Sequence, residues 1–189
     1  NLQILNNQII GGYTNIRITG SAADANSGLV LDGNIMSEAL AYGVVVMEAT
    51  APVLNFNSVT MRTTGGFASQ RNTGMLVQNV EGGFTFTRNR VLNAGSTGVY
   101  LNGINRSSSI RGVVANNMIG GGFQNPTRAD GLVFNAASHL DVWYNSVNLD
   151  NGLVRGMALE ISGASSRELN ILNNNLAYTA TGNGHALYN

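Results

Sequence analysis

The chain has 189 residues, 43% of them apolar and only 11% charged, with ten cations balancing ten carboxylates. That length supports one domain with a continuous core, while scattered charge summing to zero excludes the basic footprint of a nucleic-acid or anionic-membrane binder. The absence of Cys excludes disulfides and thiolate metal sites, no apolar run approaches the ~20 residues of a membrane helix, and nothing in the sequence calls for a cofactor.

Taken along the chain, one short pattern recurs: apolar, two free positions, Asn, one free position, apolar. It reads ILNNQI from Ile4, LDGNIM from Leu31, LNFNSV from Leu54, FTRNRV from Phe86, VANNMI from Val114, VWYNSV from Val142 and ILNNNL from Ile171. The shared residues are Asn7, Asn34, Asn57, Asn89, Asn117, Asn145 and Asn174, spaced by 23 to 32 residues. A second pattern, Gly-apolar-any-apolar, runs in phase from Gly43, Gly74, Gly98, Gly131, Gly156 and Gly184, with Asn15-Ile-Arg-Ile18 in the same place earlier. Two markers therefore share one period of about 28.

Within each repeat the apolar residues alternate, as in Leu140 and Val142 or Met157, Leu159 and Ile161. Period 2 means strand. A short strand with one apolar face cannot bury it alone, so repeats must stack and share a core. The expectation is an all-β, right-handed parallel β-helix of about seven coils, with residues 1–189 as a single segment of a longer protein and no internal boundary. Asn at each turn is expected to tolerate left-handed backbone angles and to bond along the stack. The Gly column is expected where side-chain bulk or negative φ is disallowed.

These repeats resemble the parallel β-helix repeats of the pectin-lyase-like superfamily over nearly the whole chain. The closing stretch from Asn174 also resembles repeats of autotransporter and polymorphic outer-membrane passengers. The resemblance implies a solenoid found among polysaccharide lyases, hydrolases, epimerases, phage tailspikes and surface proteins. Together with a composition of 27 Asn, 24 Gly and no Lys, it leads us to expect a secreted or cell-surface bacterial protein. The catalytic sets implied by those families are missing from this segment: no Asp-Asp pair, no Gly-His-Gly around His185, no Lys base, and no repeat column with two successive carboxylates. The reading leans away from an enzyme. A structural or adhesive module that contacts polysaccharide or a cell-surface glycan is expected; the alternative is part of a polysaccharide lyase, glycoside hydrolase or epimerase whose catalytic coils lie elsewhere.

Several residues are candidates for contact with partners. Six positions before the repeat Asn, successive coils carry Arg111, His139 and Glu168, with Asp141 two residues beyond His139. Such a patch can bind a charged sugar or move a proton, although opposed charges on neighbouring strands are commonly just a solvated ladder. Trp143 and Tyr144 offer aromatic faces at a turn. Asp130 and Arg155 are aligned just before the Gly column, as a surface ion pair. Asn105-Arg-Ser107 matches a glycosylation acceptor. The long intervals 63–73 and 120–130 read as loops suited to binding. Finally, the outward residue of each Gly-apolar-any-apolar strand reads Arg17, Val45, Leu76, Tyr100, Val133, Ala158 and Ala186. Val45, Leu76, Tyr100 and Val133 should form an apolar stripe, covered by one of the long loops or by a protein partner.

Overall fold

The computed structural model describes all residues except 65–71, 124, 126, 151–154, 180, 181 and 189. Among the described residues there is no helix; the chain winds as a parallel β-solenoid of about six turns, roughly 28 residues apart. Three parallel sheets run its length. Sheet A stacks Gln3–Leu5, Val30–Asp32, Val53–Asn55, Thr85–Thr87, Gly112–Ala115, Ser138–Trp143 and Arg167–Leu172. Sheet B stacks Gln8–Ile10, Ile35–Ser37, Ser58–Thr60, Arg90–Leu92, Met118–Gly120, Ser146–Leu149 and Asn175–Tyr178. Sheet C, with longer strands, stacks Thr14–Thr19, Tyr42–Thr50, Thr73–Glu81, Thr97–Ile104, Ala129–Asn135, Arg155–Ser162 and Asn183–Tyr188.

The repeat Asn occupies the corner between sheets A and B, and it forms one unbroken ladder. The backbone N–H and the Nδ2 of each Asn both donate to Oδ1 of the Asn on the next coil, as from Asn57 to Asn89 at 3.0 and 3.0 Å and from Asn117 to Asn145 at 3.1 and 2.8 Å. The same Nδ2 also donates back to the carbonyl at the end of the preceding coil's apolar column: Asn89 to Leu54 O at 2.9 Å, Asn117 to Phe86 O at 3.0 Å. Asn34, Asn57, Asn89, Asn117 and Asn145 are all buried. Their amides satisfy backbone groups that a tight corner would otherwise leave orphaned.

The left-handed angle expected at these Asn lies one residue earlier. Asn6, Gly33, Phe56, Arg88, Asn116, Tyr144 and Asn173 have φ between 53 and 66°. The preceding residue turns the chain, and the Asn itself faces the ladder. Of the two reasons expected for the Gly column, only side-chain bulk applies, because none of its members has positive φ. A Cβ on Gly43, Gly74, Gly98 or Gly131 would strike a sheet-B side chain (Val59, Val91, Ile119 or Val147) and, within 2.6–2.7 Å, a carbonyl of the next coil. The column is steric: it lets sheet B press its branched side chains against the backbone of sheet C.

The interior is filled by stacked apolar columns. Leu54, Phe86, Val114 and Val142 of sheet A, and Val99, Leu132 and Leu159 of sheet C, are fully buried as expected. Ile171, on the last strand of sheet A, is only partly covered.

One alignment is corrected. Hydrogen-bond register pairs Leu132 with Leu159 and Ala129 with Gly156, so Gly131 stands beside Ala158, two residues away from the expected Gly156. Ala158-Leu-Glu-Ile161 satisfies the same alternation, and a small residue at 158 replaces the Gly. Val133 is therefore flanked by Glu160, followed by Tyr188, where Ala158 and Ala186 were expected. Asp130 lies opposite Met157, and Arg155 is not its column mate.

Candidate functional site

The sheet-A patch assembles as its spacing suggests. His139 and Glu168 are adjacent across two strands, between the register pairs Ser138↔Arg167 and Leu140↔Leu169, and His139 Nε2 lies 3.0 Å from Glu168 Oε2. Arg111 reaches along the face to Asp141, with Nε and Nη2 at 2.9 and 2.6 Å from Oδ1, and Nη2 also donates to Leu140 O at 2.9 Å. These contacts hold the Asp141 carboxyl below its ordinary range, chiefly through the Arg111 hydrogen bonds, and raise Arg111 in turn. The four side chains thus form two neighbouring pairs, Arg111 with Asp141 and His139 with Glu168.

The aromatic pair at the neighbouring corner separates. Tyr144, in the left-handed position, is 58% exposed, in a row with Phe56, Arg88 and Asn116 where the Arg88 guanidinium lies 5.0 Å from the Phe56 ring centre. Trp143 is half-buried in the column of Ala115 and Leu172, with Nε1 buried and unbonded. The glycosylation acceptor is excluded by burial: Asn105 has no exposure, and its N–H donates to Val80 O at 2.7 Å.

The outer face of sheet C is richer than the sequence suggested. Val45, Leu76, Tyr100 and Val133 do lie side by side in register. The stripe is nevertheless not bare: Val45 and Val133 are buried although they lie outside the interior cluster, and Leu76 and Tyr100 are half-buried. The 63–73 loop, one expected cover, falls mostly on residues 65–71, outside the described residues. Described residues of the 120–130 loop are tied to the solenoid. Phe123 enters the core, and Asn125 N–H donates to Gly95 O at 2.9 Å. From its end, Arg128 extends beside Val133.

Arg128 bridges two carboxylates from different coils: its Nε is 2.6 Å from Asp130 Oδ2 and its Nη2 is 2.5 Å from Glu160 Oε2. Burial works against the Arg128 charge, but the two carboxylates outweigh it and raise its pKa. For Asp130 the balance goes the other way. Desolvation outweighs Arg128 and pushes the carboxyl up to about 6. Asp130 Oδ1 is buried with no hydrogen-bond partner. Beside it, Asn135 Nδ2 donates to Tyr100 Oη at 3.1 Å and to Asn102 Oδ1 at 2.9 Å. These groups line a cleft of ≈ 260 Å³ over Val133.

Repeat alignment missed this cluster because Arg128, Asp130 and Glu160 belong to no shared column. The available signal was local: Arg128 and Asp130 stand two apart as a strand begins, a spacing that places both on one face. Among the described residues, no group of three His, Asp or Glu is arranged to hold a metal. No protein-family model, curated protein or solved structure matches the chain.

Proposed function

We propose that this chain is a structural and adhesive β-helix module of a secreted or cell-surface bacterial protein, similar to pectin-lyase-like solenoids, that contacts glycan on its outer faces. The Asn ladder carries this reading. It repeats unchanged through every coil, while the exposed residues change from coil to coil. Such a chain holds its scaffold constant and varies its display, as binding solenoids do. The interior is packed with apolar side chains, so partners must be met outside. A second reading is favoured by one observation, the Asp130 and Glu160 carboxylates gathered on Arg128. A carboxyl poised near pH 6 is suited to donate a proton in glycoside cleavage.

Incubation with a panel of neutral and acidic polysaccharides separates the two. Retention of the protein on immobilised glycan without new reducing ends or unsaturated products is the expected result. Chain cleavage that disappears in Asp130→Asn would establish the enzyme reading instead. Failure to bind any glycan would leave a plain spacer and overturn the adhesive half of the proposal.

A further inference from the structure

Away from the first and last coils, five large apolar side chains among the described residues are more than half exposed: Ile35, Phe56, Ile110, Met118 and Tyr144. All but Ile110 stand directly beside a ladder Asn. Phe56 and Tyr144 precede it, in a row with Arg88. Ile35 and Met118 follow it, in a row with Arg90. Over five successive coils of the ladder, the corner therefore presents Ile35, Phe56, the pair Arg88 and Arg90, Met118 and Tyr144.

The fold does not explain these side chains. Phe56 and Tyr144 hold φ of 53 and 55°, a left-handed position that disfavours bulk and suits Gly or Asn. Gly33 and Asn116 fill the same row on neighbouring coils. Because both aromatic residues are exposed, burial does not offset the strain, and strain kept on a surface points to function. Arg88 and Arg90 are exposed as well, and neither forms an ion pair among the described residues. The flanking row of sheet A holds one acid, Asp32, two coils away and bonded to Asn55 at 3.3 Å. Beside Met118 the outward row of Leu92 continues as Gly120, and the missing side chain leaves a recess of ≈ 370 Å³.

Aromatic residues, Met and Arg without Lys or carboxylates are the composition found at the centre of protein interfaces. The two free guanidinium groups call for carboxylates. Ile35 and Met118 offer nothing to a hydroxylated chain and call for apolar side chains. A second copy docked by a two-fold axis would set arginine against arginine. Four strand spacings of ~4.8 Å give the ridge about 19 Å, the length of about six extended residues.

We infer that the Asn-ladder corner docks another protein, through a short segment whose carboxylates meet Arg88 and Arg90 and whose flanking apolar side chains meet Phe56, Met118 and Tyr144. This stands independently of the glycan reading.

Selection of a displayed library of random short peptides on the whole chain tests it. Peptides that bind wild type but not the double variant Arg88→Glu/Arg90→Glu should carry Asp or Glu between apolar residues. Their Kd by fluorescence anisotropy should rise roughly tenfold or more in Phe56→Asn/Tyr144→Asn. That variant should melt no lower than wild type, since Asn already holds this position on other coils, so its lost binding is not misfolding. Selection that enriches nothing, or only peptides indifferent to both variants, would overturn the ridge. An acidic polysaccharide bound there instead would overturn the class of partner, and self-association abolished by the same substitutions would make the occupant a second copy. A lower melting point for Phe56→Asn/Tyr144→Asn would show that the aromatic residues serve the fold, and the inference would fall.

Discussion

A single carboxyl shows how far context can move a side chain. Asp130 and Asp141 each face an Arg at 2.6 Å, yet their pKa values move in opposite directions. Asp141 sits on an open face, where the Arg111 hydrogen bonds dominate. Asp130 is buried, and loss of water outweighs Arg128. The consequence for stability is opposite in sign. Asp141 binds its proton less readily when folded, so it stabilises the fold above its ordinary pKa and ceases to as pH falls through the lowered value. Asp130, raised to about 6 from 3.8, binds its proton more readily when folded. Its contribution is full below its unfolded pKa and is lost as pH rises through about 6. Wild-type stability should therefore decline between about pH 4 and pH 6 by up to about 3 kcal/mol relative to Asp130→Asn. Urea unfolding of both proteins at several pH values measures this; parallel curves would show that Asp130 is solvated and ordinary.

At the scale of the element, the Asn corner is a strand-like structure built from side chains. Each interior amide receives two donors from the coil before it and gives its own hydrogens to an Asn and to a backbone carbonyl. Asn89→Ala would leave Asn57 N–H, Asn57 Nδ2, Leu54 O and Asn117 Oδ1 short of a partner, all at buried residues. Orphaning several buried groups at once should cost about 3 kcal/mol or more. Asn7→Ala should cost less than about 1 kcal/mol, because Asn7 is exposed and its side chain accepts from no earlier Asn. Equal losses in chemical denaturation would mean that the ladder is ornament and the apolar columns alone hold the corner. The Gly column beside it follows a different logic. Room for Val59, Val91, Ile119 and Val147 decides those positions, and Ala158 shows that the requirement eases one coil later.

The whole molecule is a stack in which each coil touches chiefly its neighbours, so stability should vary along its axis. In the middle, the strand Thr97–Ile104 is hydrogen-bonded on both sides, and Val99, Leu101 and Ile104 are fully buried. At the margins, Gln3–Leu5 and Asn183–Tyr188 have a neighbour on one side only and are mostly exposed. Hydrogen exchange followed by mass spectrometry should find amides of Thr97–Ile104 exchanging at least about a hundredfold more slowly than those of the two marginal strands. Uniform protection from end to end would indicate that the stack opens as one unit.

The sequence by itself determined the period, the parallel stacking, the Asn corner and the inward apolar columns. Those features follow from local chemistry repeated at a fixed interval: alternation makes a strand, one apolar face demands a neighbour, and an amide at a corner can bond its copies. It also placed Arg111, His139, Asp141 and Glu168 together, since a shared column makes neighbours of distant residues. Only the tertiary structure decided three things. It put the left-handed angle one residue before each Asn, because Phe56, Arg88 and Tyr144 bear no local mark of a turn. It shifted the register at Gly156, because Gly131-Leu-Val-Phe and Ala158-Leu-Glu-Ile alternate alike and only backbone hydrogen bonds distinguish them. It also brought Arg128 between Asp130 and Glu160. That cluster depends on Phe123 anchoring an irregular loop and on a glutamate from another column, and its raised carboxyl depends on burial. Periodicity predicts what repeats; it cannot predict a contact made once.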